Sequence, residues 1–293
     1  MASLATHFSA FALLFPIGLR RLICSSALYL KNPSLYRSKA WYFSEPKWKN
    51  FDLYSLTIAL PIASFSEIFI FLAFSGHPTY RFAFFQQSAA IFMFWALVLL
   101  IIFRENIDPL NFNEGFVFVF AAVSFFVEYS VIGKGISGLG GAVYDMLAAL
   151  TLICAFSCLY LSIRPCSFFA EFFLSSGLVF KGTWILQLGL SLYTDAFGLN
   201  GCKKMSVWPN QDNAEWKCNL EEDGLRGVAV MKLLFIGHAI AVLVGKGSGQ
   251  LLAQLDSEHV LMPPGENQTE IFCQRGPDKS EDLTFVQCEP HAF

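Results

Sequence analysis

The sequence predicts an all-α polytopic membrane protein, a bundle of seven transmembrane helices, and three observations predict it. Hydrophobic residues make up 55% of the 293-residue chain and charged ones 15%, a balance outside that of ordinary soluble domains. The apolar residues arrive in blocks near twenty long rather than scattered at periods of 2 or 3.6, and such a block, rising 1.5 Å per residue, crosses a hydrocarbon core of about 30 Å. The charges gather between the blocks: Arg81 and Arg104 bracket residues 82–103, which contain none. A formal net charge of −3 says little about partners, and the absence of a basic patch with interleaved aromatics argues against nucleic-acid binding.

Taken in order, the first span covers residues 2–19. It lacks the positive start of a secretory signal and ends in Arg20 and Arg21 rather than a small-residue cleavage site, so it reads as a retained span. Residues 22–30 either extend that helix or lie in the interface. The second span is 53–74, the third 82–103, the fourth 116–132, the fifth 142–163, the sixth 168–193 and the seventh 228–244. Pro16 and Pro61 fall inside the first two, where a membrane helix accommodates proline by finding replacement hydrogen bonds. No internal repeat marks a solenoid or an inverted-repeat transporter.

Basic residues in short loops resist translocation, and this sets the orientation. With the N-terminus outside, the inner side collects Arg20, Arg21, Lys31, Arg37, Lys39, Lys47, Lys49, Arg104, Arg164 and Lys246. The outer side holds Arg81, Lys134, Lys203, Lys204, Lys217 and Arg226. The expectation is an N-terminus in the lumen or outside the cell and a C-terminus in the cytosol. Cys202 and Cys218 share the loop between spans six and seven, which this topology exposes to an oxidising compartment, and they are candidates for a disulfide. Cys166, beside Arg164, is a palmitoylation candidate, against the plainer reading of a small buried hydrophobe. Residues 1–245 thus form the membrane domain. From Lys246 the sequence turns to Gly-Lys-Gly-Ser-Gly and then to a polar, proline-containing stretch, read as a cytosolic tail, disordered beyond a short amphipathic piece at 251–255. The sequon at Asn267 would stay unglycosylated there.

Each ionisable group at membrane depth costs roughly 2.5–3.5 kcal/mol to insert, which makes it a functional candidate by default. His7, Glu67, Glu128, Asp145 and Gln187 fall in the outer half of the expected topology, and Lys181 and His238 lie near the midplane. Together they suggest a polar pocket open to the lumenal or extracellular side. The competing reading is that they form interhelical pairs that fix packing. Lys181, Trp184 and Gln187 sit near one face of span six and could line such a pocket. His7 and His238 lack a third ligand, so no metal site is assigned. The cofactor is left unknown. Gly133-Lys134-Gly135-Ile136-Ser137-Gly138 spells a dinucleotide-binding pattern but follows a membrane helix instead of a strand, so it reads as a glycine-rich connector. No phosphate-binding loop, nucleophile elbow or zinc helix appears, which leans against an enzyme.

Lys181-Gly182-Thr183-Trp184, with Gln187, Gly189 and Tyr193, resembles the Gly-Thr-Trp stretch of the transmembrane protein 45-like proteins. These are a plant and animal membrane domain of unknown function whose plant branch is linked by name to virus response. Glu128 resembles that family's acidic residue late in a span, His7 its early histidine, His238 one in its last span, and Cys202 and Cys218 the paired loop cysteines of plant members. The resemblance covers residues 4–244. It departs at Ile68, where animal members carry a histidine after the acidic residue. It implies a seven-span protein of endomembranes or the cell surface, with ties to trafficking or defence, and no established reaction. The expected function is non-enzymatic binding of a small molecule, lipid or protein in the polar pocket open to the lumenal or extracellular side. A proton-coupled transporter using Glu67, Glu128, Lys181 and His238 is the alternative, and an intramembrane enzyme the third reading.

Overall fold

In the computed structural model the described residues are 4–42, 51–73, 78–106, 113–133, 138–194, 201–202 and 218–259, and their regular structure is helical. Seven α-helices follow in order: α1 (Leu4–Lys31), α2 (Phe51–Ala73), α3 (Pro78–Asn106), α4 (Glu114–Val131), α5 (Gly138–Ile163), α6 (Phe168–Tyr193) and α7 (Glu221–His259), with a 3-10 turn at Pro33–Leu35. Among the described residues, six of them are long and apolar enough to cross a membrane.

The boundaries follow local chemistry. Asn113 caps α4 by accepting from the backbone N–H of Gly115, and Ser167 caps α6 by accepting from that of Ala170. After α4 the chain turns at Gly133, whose φ of +68° suits glycine and whose Cβ, if present, would lie 2.7 Å from that of Tyr144. Residues 22–30 continue α1 as one helix, and α1 and α2 run through Pro16 and Pro61. The backbone of α7 stays helical to His259, past the Gly-Lys-Gly-Ser-Gly run at which the sequence pattern ends the seventh span and through the expected amphipathic piece at 251–255.

The centre of the bundle is α6. Of its span window 72% is buried, against 11% of that of α7. It packs along α1 at a distance that glycine sets. A Cβ on Gly18 would meet the backbone nitrogen of Val179 at 2.7 Å, one on Gly182 that of Phe15 at 3.0 Å, and one on Gly189 the His7 Cβ at 2.6 Å. Ser175, Gly182 and Gly189 recur every seven residues, so small side chains line one face of α6 and let the helix axes approach. Around this pair, α5 packs on α4, α6 and α7, while α3 lies between α2 and α4. The α2–α3 hairpin is held by hydrogen bonds as well as packing: the Ser64 and Ser88 hydroxyls lie 2.8 Å apart, and the Trp95 indole donates to the Thr57 carbonyl at 3.1 Å.

The outward faces identify the solvent. Ile58, Ile62, Phe65 and Phe69 on α2, Ile153, Phe156, Tyr160 and Ile163 on α5, and Leu233, Ile236, Ile240 and Leu243 on α7 are all exposed at helical spacing. Apolar stripes of this length suit lipid and would be a large aggregation-prone surface in water.

Replacing Gly18 with leucine should force α1 from α6 and lower stability by about 1–3 kcal/mol, the usual cost of overpacking. Gly237→Ala, where an added Cβ meets nothing within 4 Å, should cost nothing. Melting temperatures of the two variants in detergent check the pair.

Candidate functional site

The polar residues of the interior fall into three levels along the bundle. At mid-level, Lys181 on α6 is 1% exposed. Its Nζ donates to Oε2 of Glu128 on α4, forming an ion pair. The ammonium also lies 5.2 Å from the centroid of the Phe125 ring, one turn before Glu128. Next to this pair, the buried Cys154 of α5 fills the space left by Gly177, where a Cβ would stand 2.8 Å from its sulfur.

At the end carrying Arg20 and Arg21, α1 and α6 are joined by a second buried pair. The Arg21 Nη2 donates to Oε2 of the fully buried Glu171 at 2.8 Å, and Nε lies 2.6 Å from Oε1 at an angle that makes the contact ionic rather than a hydrogen bond. The remaining donors of the guanidinium fix the segment after α1: Nη1 donates to the Ala40 carbonyl at 3.0 Å and Nη2 to that of Lys39 at 2.9 Å. Ser38 donates its hydroxyl to Glu171 and its N–H to the Pro165 carbonyl at 2.8 Å. Arg20 pairs with Asp52 of α2 and lies over Trp41, 5.0 Å from the ring centroid, while Arg104 of α3 pairs with Glu114 of α4 at 3.3 Å. A cavity of about 10 Å³, room for about one water molecule, is lined by Ile17, Arg20, Arg21, Trp41 and Tyr42.

Sequence reasoning counted Arg21 as a loop-facing charge and left Glu171 out of the candidates. Glu171 stands in the first turn of α6, where an acid also suits the helix dipole, so its partner could not be read from position alone. Burial raises the phenols of Tyr36 and Tyr42 in this segment well above their ordinary value, with Glu171 adding to both and Tyr42 adding to that of Tyr36.

At the opposite end, His7 is buried against Gly189, its ring centroid 5.7 Å from that of Tyr193. Glu67 of α2 is 3% exposed, and its carboxylate interacts electrostatically with the phenols of Tyr144 on α5 and Tyr193 on α6. Its Oε2 has no hydrogen-bond partner among the described residues. Gln187 is buried and donates to Ser191 on its own helix at 3.4 Å. Trp184 and His238 meet across α6 and α7 at 5.8 Å between centroids, with Phe180 and Phe235 around them, and the Trp184 indole nitrogen is buried without a partner among the described residues. Asp145 is exposed on α5, turned away from the others.

Among the described residues the eight candidates stand as follows: Lys181 with Glu128, Trp184 with His238, His7 with Tyr193, Gln187 with Ser191 on its own helix, Glu67 buried and Asp145 exposed. Sequence reasoning missed Tyr144 and Tyr193 as polar partners, because a tyrosine inside an apolar block reads as interface or packing. Among the described residues no three His, Cys, Asp or Glu side chains stand where they could hold a metal ion.

Cys202 and Cys218 form a disulfide with an S–S distance of 1.98 Å. Cys24 and Cys166 are disulfide-bonded as well, and a sulfur so engaged cannot take an acyl chain. Because Cys24 lies on the Arg21 side of α1, disulfides stand toward both ends of the bundle. Cysteine chemistry by itself therefore does not say which end faces an oxidising compartment.

The sequence model of a family of unknown function (DUF716) matches residues 114–248, a little under half of the chain. The matched region runs from α4 through most of α7 and holds Glu128, Glu171, Lys181, Trp184 and His238. No curated protein matches the chain.

The segment bearing Tyr36 and Tyr42 supplies a pH prediction. Their folded values lie above that of an unfolded phenol, near 10, so the stability they lend is whole below that pH and is lost as pH rises past it. Ultraviolet titration should show fewer tyrosines ionising near pH 10 in the folded protein than in denaturant. Replacing both residues with phenylalanine should shrink that difference.

Proposed function

We propose that this chain is a seven-span membrane protein that acts by binding a ligand on its lumenal or extracellular side and not by catalysis. In this reading α2 crosses alongside the other six helices, the N-terminus is lumenal or extracellular and the C-terminus cytosolic. Residues 1–245 are the membrane domain and 246–293 the cytosolic tail. The family match and the Gly182-Thr183-Trp184 stretch support kinship with the transmembrane protein 45-like proteins, and with it a role in an endomembrane or cell-surface process such as trafficking or defence.

The observation that carries the binding reading is Glu67. The other acidic groups described in ion pairs each have a basic partner: Asp52 with Arg20, Glu105 and Glu114 with Arg104, Glu128 with Lys181, Glu171 with Arg21. Those pairs answer a structural need, since a charge in a low-dielectric interior requires a partner. Glu67 is buried without one among the described residues, at the end where His7 and Tyr193 also stand. A carboxylate left in that condition is a recognition group for something outside the chain, or for a proton, which is what a proton-coupled transporter would use. Basic side chains at the other end, Arg20, Arg21, Lys31 and Arg104 among them, support the orientation, because the rule counts lysine and arginine and not net charge.

Two measurements test this reading. Epitope tags at the two termini, probed before and after selective permeabilisation, should place the N-terminus on the non-cytosolic side and the C-terminus on the cytosolic side; both ends on one side would overturn the seven-span arrangement. In reconstituted vesicles the protein should carry no pH-driven solute flux. A flux abolished by Glu67→Gln would replace binding with transport.

A further inference from the structure

We propose that the small cavity beside Arg20, Arg21 and Trp41 receives an oxygen of a phosphate group, supplied by an anionic phospholipid headgroup. The site lies at the end of the bundle away from Glu67, and it stands apart from the ligand proposed above.

Its walls are on two pieces of chain. Ile17, Arg20 and Arg21 come from α1, and Trp41 and Tyr42 from the segment after it; the space they enclose is about 10 Å³ and is not closed over. The Arg20 guanidinium lies 5.0 Å from the centroid of the Trp41 ring, and that of Arg21 lies 5.5 Å from the centroid of Tyr42. Two cations therefore stand against two ring faces at one small space. Trp41 is 9% exposed, and its indole nitrogen is buried without a hydrogen-bond partner among the described residues. A buried donor left unmade is costly, so this wall of the cavity asks for an acceptor.

The space suits one oxygen atom, and the side chains around it choose the kind. Guanidinium and indole groups only donate, and of the lining side chains the phenol alone can also accept. A water molecule there would find donors for its lone pairs and little to receive its own two hydrogens. The nearby carbonyls of Lys39 and Ala40 are already taken by Arg21. An oxyanion has no hydrogens to place, and hydrogen bonds in which the acceptor is charged are the stronger kind. Asp52 pairs with Arg20 and Glu171 with Arg21, but a guanidinium carries five N–H groups, more than one carboxylate engages.

Place in the fold names the source of the oxyanion. At this end of the bundle Arg20, Arg21, Arg37, Lys39, Arg104 and Arg164 outnumber Asp52, Glu105, Glu114 and Glu171 among the described residues, which favours an anionic visitor. Trp41, Tyr42 and Tyr36 gather beside these charges, and in a membrane protein such aromatic side chains mark the level of the headgroups. Ile17 stands one turn deeper in α1 and gives the glycerol end of a lipid an apolar wall. Basic pockets between spans are a recurring means of holding acidic headgroups.

The test is thermal unfolding of the full chain in detergent, titrated separately with phosphatidylglycerol, with diacylglycerol of the same acyl chains and with inorganic phosphate at constant ionic strength. Phosphatidylglycerol should raise the midpoint saturably, as a ligand of the folded state does, and diacylglycerol should not. Trp41→Phe keeps the ring and removes the N–H, and should weaken the apparent affinity about tenfold, the loss of one hydrogen bond to a charged group. Arg164→Gln, which removes an exposed charge at the same end, should leave that affinity unchanged. No saturable rise, an equal rise with diacylglycerol, no effect of Trp41→Phe, or equal weakening by Arg164→Gln would overturn the proposal. A matching rise with inorganic phosphate would overturn the lipid as the source and keep the phosphate site. Each variant is compared with its own midpoint before addition, so lost folding is not scored as lost binding.

Discussion

A charge inside a low-dielectric interior must find an opposite charge, and the central helix of this bundle carries two charges that do. Glu171 near one end of α6 meets Arg21 of α1, and Lys181, ten residues on, meets Glu128 of α4. Those two contacts set the rotation and height of α6 relative to two separate neighbours. Glycine sets the remaining variable, the distance to α1, since Gly18, Gly182 and Gly189 leave no room for a side chain at the contact. Removing one partner of either pair would leave a buried charge uncompensated, far costlier than never having had the pair. The arrangement is therefore specified more sharply than apolar packing alone would specify it.

The same logic separates structural from functional polar groups. Arg21 donates to Glu171 and to two backbone carbonyls, and so ties the segment after α1 to the start of α6. That is bracing. Glu67, by contrast, is buried on a hairpin fixed by its own serine contacts, and among the described residues no basic side chain pairs with it. The first kind of site stabilises the bundle whether or not anything binds, while the second, on the function proposed above, is the one open to a ligand. His238 with Trp184 is an aromatic contact at the α6–α7 boundary, on the least buried of those six spans.

Much of the fold was legible because the bilayer imposes a length, and length shows in a sequence. The apolar block at 168–193 and α6 share the same bounds, and α5 and α3 contain their predicted spans. A change of composition is a weaker guide to a helix end than length is: α7 runs past Lys246 to His259. Partners were harder still. Lys181 and Glu128 are 53 residues apart in sequence, and the composition of each helix says that a partner is needed without saying which. Asp145 shows the limit from the other side: a first-turn acid at membrane depth was expected to face inward, yet a half-turn of rotation, invisible in an evenly apolar helix, turns it out. The pairing of Cys202 with Cys218 was the exception, since two cysteines in one loop have few choices.

The central claim is that the intramembrane charges on α6 hold the helices together as pairs, and a double-mutant cycle on Lys181 and Glu128 tests it most directly. Stability of the purified protein would be measured for Lys181→Met, Glu128→Leu and the two combined. Each single change should cost about 3–5 kcal/mol, and the combination should recover most of the loss, because two apolar side chains then replace a matched pair. Losses that simply add in the double variant would contradict the account, for they would mean that the two charges act separately.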